Sequence, residues 1–135
     1  MNGFSRLLVL FLLVNHACKD ADVPVSKSGL YGQWLMTESL QDPGDGSGTW
    51  QKPSANSYDL ISFRRDNSFA GDDGSYNLFP EFSSFRIRSD STLTLYKKDH
   101  KDSLRLRYSL DSRVLQINLP CIEPCGLRFS KTTDF

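Results

Sequence analysis

Leu104-Arg105-Leu106-Arg107-Tyr108-Ser109-Leu110 alternates without a fault, every even position apolar and every odd one polar. Side chains two apart share one face of a strand, so this segment has one face to bury and one to leave in water. A helix would scatter the same residues around its axis. Asp111-Ser112 follows as turn chemistry. Leu115, Ile117 and Leu119 then share a side within Arg113 to Leu119, and the two runs together predict a hairpin.

The same period extends outward from this hairpin. Phe85 and Ile87 alternate with Arg86 and Arg88, Leu93 and Leu95 with Thr92 and Thr94, and Leu127 and Phe129 with Arg128 and Ser130. Turn residues separate the runs at Asp66-Asn67, Asp72-Asp73-Gly74, Asp90-Ser91 and Asp99 to Ser103. No stretch of similar length carries a helical stripe. The expectation is an all-β domain over residues 30–135, an antiparallel up-and-down meander of about eight or nine strands. Such a meander hides its edges by closing into a barrel or folding into a sandwich. Gln41 to Ser57 is the longest irregular stretch, with Pro43, Gly44, Gly46, Gly48 and Pro53 around Trp50, and loops of that length are uncommon unless they serve a function or move.

The other end of the chain carries an address. Arg6 precedes the unbroken apolar run Leu7 to Val14, which ends at Asn15-His16-Ala17-Cys18. Eight apolar residues are too few for a bilayer that needs roughly 20 residues of helix, so residues 1–17 read as a signal peptide. Ala17-Cys18 at its end resembles the lipobox of bacterial lipoproteins, although an aliphatic residue usually stands where this chain has Asn15. That resemblance makes Cys18 the lipidated N-terminus of the mature protein. Ordinary secretory cleavage, leaving Cys18 a free thiol, is the alternative. The chain has three cysteines, and Cys121 and Cys125 are close enough to pair, which leaves Cys18 as the odd one. Residues 18–29 then form the lipidated cysteine and a polar, flexible tether. Lys19-Asp20-Ala21-Asp22 resembles the acidic signal that sends some Bacteroidetes lipoproteins to the cell surface.

Composition narrows the chemistry. Sixteen basic residues balance sixteen acidic ones, and removing Arg6 with the leader leaves fifteen against sixteen, a charge that offers nothing to nucleic acid phosphates. Outside the leader the sole histidine is His100, inside the solvated run Lys97 to Asp102, so a nucleophile has no evident base and catalysis is not expected. Cys121 and Cys125 supply at most half of a zinc site, and a disulfide in an exported protein is the stronger reading. Asp72-Asp73 and the pair Asp42 and Asp45 lie in glycine-rich turns and lack the spacing of a calcium loop. No metal or other cofactor is expected. Arg86, Arg88, Arg105 and Arg107 form the solvent face of strands first and an anion patch second. Trp50, Tyr58, Phe79 and Phe82 are candidate ligand-binding residues, and filling the core is their alternative role.

Gly32-Gln33-Trp34 in the first strand matches the Gly-x-Trp motif of lipocalins. The wider pattern, with Asp42 to Trp50, Ile61-Ser62-Phe63 before a turn and Phe69, and a terminal Cys-x-x-x-Cys hairpin, resembles the small lipocalin-like lipoproteins of Bacteroidetes. The resemblance implies a lipocalin-like barrel in which Arg128 packs across Trp34, and an outer-membrane lipoprotein held to the membrane through its anchor. It implies no activity. A barrel of about eight strands can hold one ligand, so a small apolar or amphipathic molecule is the expected partner. An envelope protein that meets other proteins, with no internal ligand, is the alternative.

Overall fold

The computed structural model describes residues 29–135. Cys18, the leader and most of the tether lie outside the described residues. Nine strands follow in chain order: β1 (Gly32–Gln41), β2 (Thr49–Gln51), β3 (Leu60–Phe63), β4 (Phe69–Ala70), β5 (Phe82–Ser89), β6 (Thr92–Lys97), β7 (Ser103–Asp111), β8 (Val114–Asn118) and β9 (Cys125–Thr133). Their order in the sheet is β4-β3-β1-β9-β8-β7-β6-β5, every pairing antiparallel, with β2 folded back on the end of β1. Strands consecutive along this path are neighbours in the chain, β2 aside, except that β9 returns to β1 while β4 and β5 stand at the two ends. A single bridge between Ser68 and Ser84, with the Phe85 amide donating to Asn67 oxygen at 3.0 Å, brings β4 against β5. The result is a nearly closed barrel of eight strands.

The alternation read from the sequence sets what points inward. Leu106 and Tyr108 are buried while Arg105, Arg107 and Ser109 are exposed. Tyr108 faces Ile117 and Leu110 faces Leu115 across the β7–β8 hairpin. Trp34, Ile61, Phe63, Phe69, Phe85, Leu93, Leu95, Leu106, Leu115, Ile117 and Phe129 fill the interior. Phe63 is its hub, with ring centroids 4.9 Å from Phe85 and 5.1 Å from Phe69. Small barrels have an interior just wide enough for such side chains. The stretch Gln41 to Ser57 is less irregular than its composition suggests, because β2 within it pairs Trp50 with Leu40 and Gln51 with Ser39.

Candidate functional site

The two ends of the barrel are finished differently. At one end Gly29 to Tyr31 crosses the base, and the Trp34 indole N–H donates to Leu30 oxygen at 2.9 Å. The cation against that indole is Lys131, its Nζ 4.9 Å from the ring centroid, and not the expected Arg128. Arg128 lies on the outer face instead. There its guanidinium sits 3.8 Å from the Trp50 ring centroid and pairs with Glu38 at 3.0 Å, while its Nε donates to Gln116 at 3.1 Å. The reason is strand parity: Leu127, Phe129 and Lys131 point inward, so Arg128 points out. Lys131 Nζ donates to the oxygens of Gly29 at 2.6 Å and Tyr31 at 3.0 Å, and to Asp134 Oδ1 at 2.8 Å, which satisfies its three protons. Gly32 has no substitute here. Its φ is 145°, and a Cβ would stand 2.3 Å from Thr133 oxygen.

The other end is open. Three segments form its rim: the end of β1 from Ser39 to Asp42, the β4–β5 connection from Tyr76 to Phe79, and the β8–β9 turn from Leu119 to Gly126. Between them lies a cleft of about 430 Å³, with Leu78 and Leu127 as its buried apolar floor and Leu40, Tyr76, Phe79 and Leu119 around them. Ser39, Gln41, Asn77 and Glu123 add polar groups at its edge. A disulfide joins Cys121 to Cys125 and closes the β8–β9 turn, whose Pro124 oxygen accepts the Asp42 amide at 3.2 Å.

Asp42 organises the loop beside the cleft. Its carboxylate accepts the amides of Gly44 at 2.8 Å, Gly46 at 3.1 Å and Gly48 at 3.0 Å. These donors, with Gly44 and then Gly48 the strongest, hold its carboxyl below the ordinary aspartate range. The β4–β5 side of the rim depends on Asp59, which is only 2 % exposed. Asp59 accepts the Tyr76 amide at 3.0 Å and the Ser57 hydroxyl, so the segment carrying Tyr76 and Phe79 is tied to the start of β3. Phe79 itself has φ of 58°, a left-handed conformation that a bulky side chain adopts rarely and at a cost.

The four aromatic candidates do not converge. Phe79 lines the cleft, and Phe82 packs behind it at 6.3 Å between centroids, 7 % exposed and part of the core. Trp50 is held on the outer face by Arg128, because β2 pairs along the edge of β1 with Trp50 opposite Leu40, which shares the outward parity of Glu38. Tyr58 is 72 % exposed on the β2–β3 connection and lines none of the cleft. Sequence reasoning missed Asp59, Tyr76, Leu119 and Leu127. Leu119 and Leu127 carried a signal, since both continue the inward alternation of β8 and β9 to the rim. Asp59 carried none, for nothing in a single sequence separates a buried aspartate from those in turns.

No family model, no curated protein and no solved structure matches this chain.

Proposed function

We propose that this domain is a non-catalytic binding module that holds a small apolar or amphipathic molecule in the cleft at the open end of the barrel, carried on the outer membrane by a lipid on Cys18. One observation carries the ligand reading: the rim cleft of about 430 Å³ has a floor of Leu78 and Leu127 and walls of Tyr76, Phe79 and Leu119. Ligand sites are apolar hollows of roughly 300 to 1,000 Å³ with a few polar groups that fix orientation. Gln41, Asn77 and Glu123 would face the polar end of an amphipathic guest. Strain in the Phe79 backbone supports the same reading, because such outliers gather at ligand clamps. The lipid anchor rests on the apolar run Leu7 to Val14 and on Cys18 after Ala17.

Native mass spectrometry of the protein purified gently from its own envelope tests this. A small molecule retained one to one, and lost from a Leu119→Trp variant that fills the cleft while keeping the wild-type melting transition, is the expected result. A bare mass for both proteins overturns it. The alternative, a protein-interaction module of the envelope, draws on Ile122, which stands fully exposed at the tip of the disulfide loop. Its mark in the same spectrum is a mass raised by a co-purifying protein.

A further inference from the structure

The outer face of β5, β6 and β7 carries charge that the cleft does not use. Arg86 and Arg105 both pair in register with Thr94, one from each side, and Arg107 pairs with Thr92. With Arg88 they form an array of four exposed guanidinium groups. Neighbouring strands lie about 4.8 Å apart and residues two apart along a strand about 6.7 Å, so the array measures roughly 10 by 7 Å at the backbone. Chance would place acids among them. Among the described residues, however, the ion pairs involve Lys97, Arg113, Arg128 and Lys131, and none of these four arginines. Arg88 is held by hydroxyls: its Nε donates to Thr94 Oγ1 at 3.4 Å and its Nη2 to the Tyr96 hydroxyl. A cation positioned by neutral partners keeps its full charge for a ligand.

Beside this array lies a polar hollow of about 480 Å³, lined by Asn67, Ser84, Phe85, Arg86, Tyr96 and His100. It offers an amide, a hydroxyl, a phenol, an imidazole and a guanidinium around one concavity. The Tyr96 and His100 rings stand 6.1 Å apart at its edge. Such a set matches a hydroxyl-rich molecule with an acidic group. The adjoining arginines match further acidic groups along the same chain.

We propose that this face binds an acidic polysaccharide, one sugar unit seated in the hollow and the anionic groups of its neighbours on Arg88, Arg105 and Arg107. A membrane surface fits less well. The large apolar side chains that stand exposed, Tyr58, Val114, Ile122 and Phe135, lie on the β2–β3 connection, on β8, at the β8–β9 turn and at the C-terminus, so no apolar wedge accompanies the arginines. The site stands apart from the rim cleft, with which its hollow shares no lining residue.

The test is affinity for dextran sulfate and for polygalacturonate, with neutral dextran as control, using protein purified from its own envelope. Wild type should bind both polyanions in a salt-sensitive manner and ignore dextran. Arg86→Gln with Arg105→Gln should weaken that binding about tenfold or more, since each lost charge-assisted contact is individually strong. Lys98→Gln with Lys101→Gln, which removes equal charge from the β6–β7 turn, should leave it unchanged. Absence of wild-type binding overturns the proposal, as does an equal loss in both variants. Phosphatidylglycerol vesicles provide the remaining arm: if the arginine variant loses affinity for vesicles and retains it for the polysaccharides, the face belongs to a lipid surface and the proposal fails.

Discussion

The closed end of the barrel is held by a buried ammonium beneath an indole, the open end by an exposed carboxylate and a disulfide. At the closed end Lys131 gathers the oxygens of Gly29, Tyr31 and Asp134 around Trp34, and every donor is spent inside the fold. At the open end Asp42 gathers amides from its own loop, and the Cys121–Cys125 link closes a turn. One side chain that reaches from β9 to the residues ahead of β1 holds the first end. The second is held by turns closed within themselves and joined by single bonds, the Asp42 amide to Pro124 and the Tyr76 amide to Asp59. Local closure shapes a rim without filling the space between its segments, which is how a barrel with a packed interior still presents a cleft.

The sharpest way to break this contrast is to remove the ammonium. Lys131→Ala leaves two backbone oxygens unmet near the base and uncovers the Trp34 ring, and should cost about 3 kcal/mol. Arg128→Ala removes a cation over Trp50 and a partly exposed ion pair on the outer face, and should cost about 1 kcal/mol. Urea unfolding of the two variants measures both. Equal losses would mean that the ring contact seen at each tryptophan matters more than burial, and the distinction between the faces would fall.

These two residues also mark how far the sequence could be read. Period-two alternation disclosed most of the strands, the β7–β8 hairpin and the inward row of Leu127 and Phe129. It also contained the correction, since Lys131 shares their parity and Arg128 does not; the resemblance of Gly32-Gln33-Trp34 to a short motif pointed to Arg128 against it. Two register shifts between β1 and β9, at Gln33/Trp34 and Met36/Glu38, hid which β9 residue meets Trp34. The cysteine pair was legible because a disulfide is the ordinary use of two such close cysteines in an exported protein, whereas Gly32 entered through the Gly-x-Trp resemblance alone. The cleft was not. Its rim comes from three segments far apart in the chain, and an aromatic residue near a loop, such as Trp50 or Tyr58, looks the same in sequence whether it faces a rim, a core or water.

Removing the disulfide should act on the open end alone. The loop it closes is short, so Cys121→Ser with Cys125→Ser should lower stability by about 2 kcal/mol or less. Hydrogen exchange should rise at Leu119, Cys125 and the Asp42 amide, whose acceptor is Pro124, and stay unchanged at the Trp34 indole. Faster exchange at both ends would show that the turn supports the whole barrel.

The smallest effect separates the ends by the origin of their acidity. Both Asp42 and Asp134 are held below the ordinary value of 3.8, Asp42 chiefly by the Gly44 and Gly48 amides and Asp134 chiefly by its hydrogen bond and charge contact with Lys131. A carboxyl depressed in the folded state contributes stability that is complete above its unfolded value and disappears as pH falls through its folded one. In an acid titration followed by NMR, the Gly44, Gly46 and Gly48 amides should therefore move together with a midpoint below 3.8. In Lys131→Ala the Asp134 titration should return toward 3.8 while that of the glycine amides stays where it was, because the donors that hold Asp42 lie within six residues of it. A shift of both would couple the two ends through the barrel wall, and the rim could then no longer be treated as a structure that closes on itself.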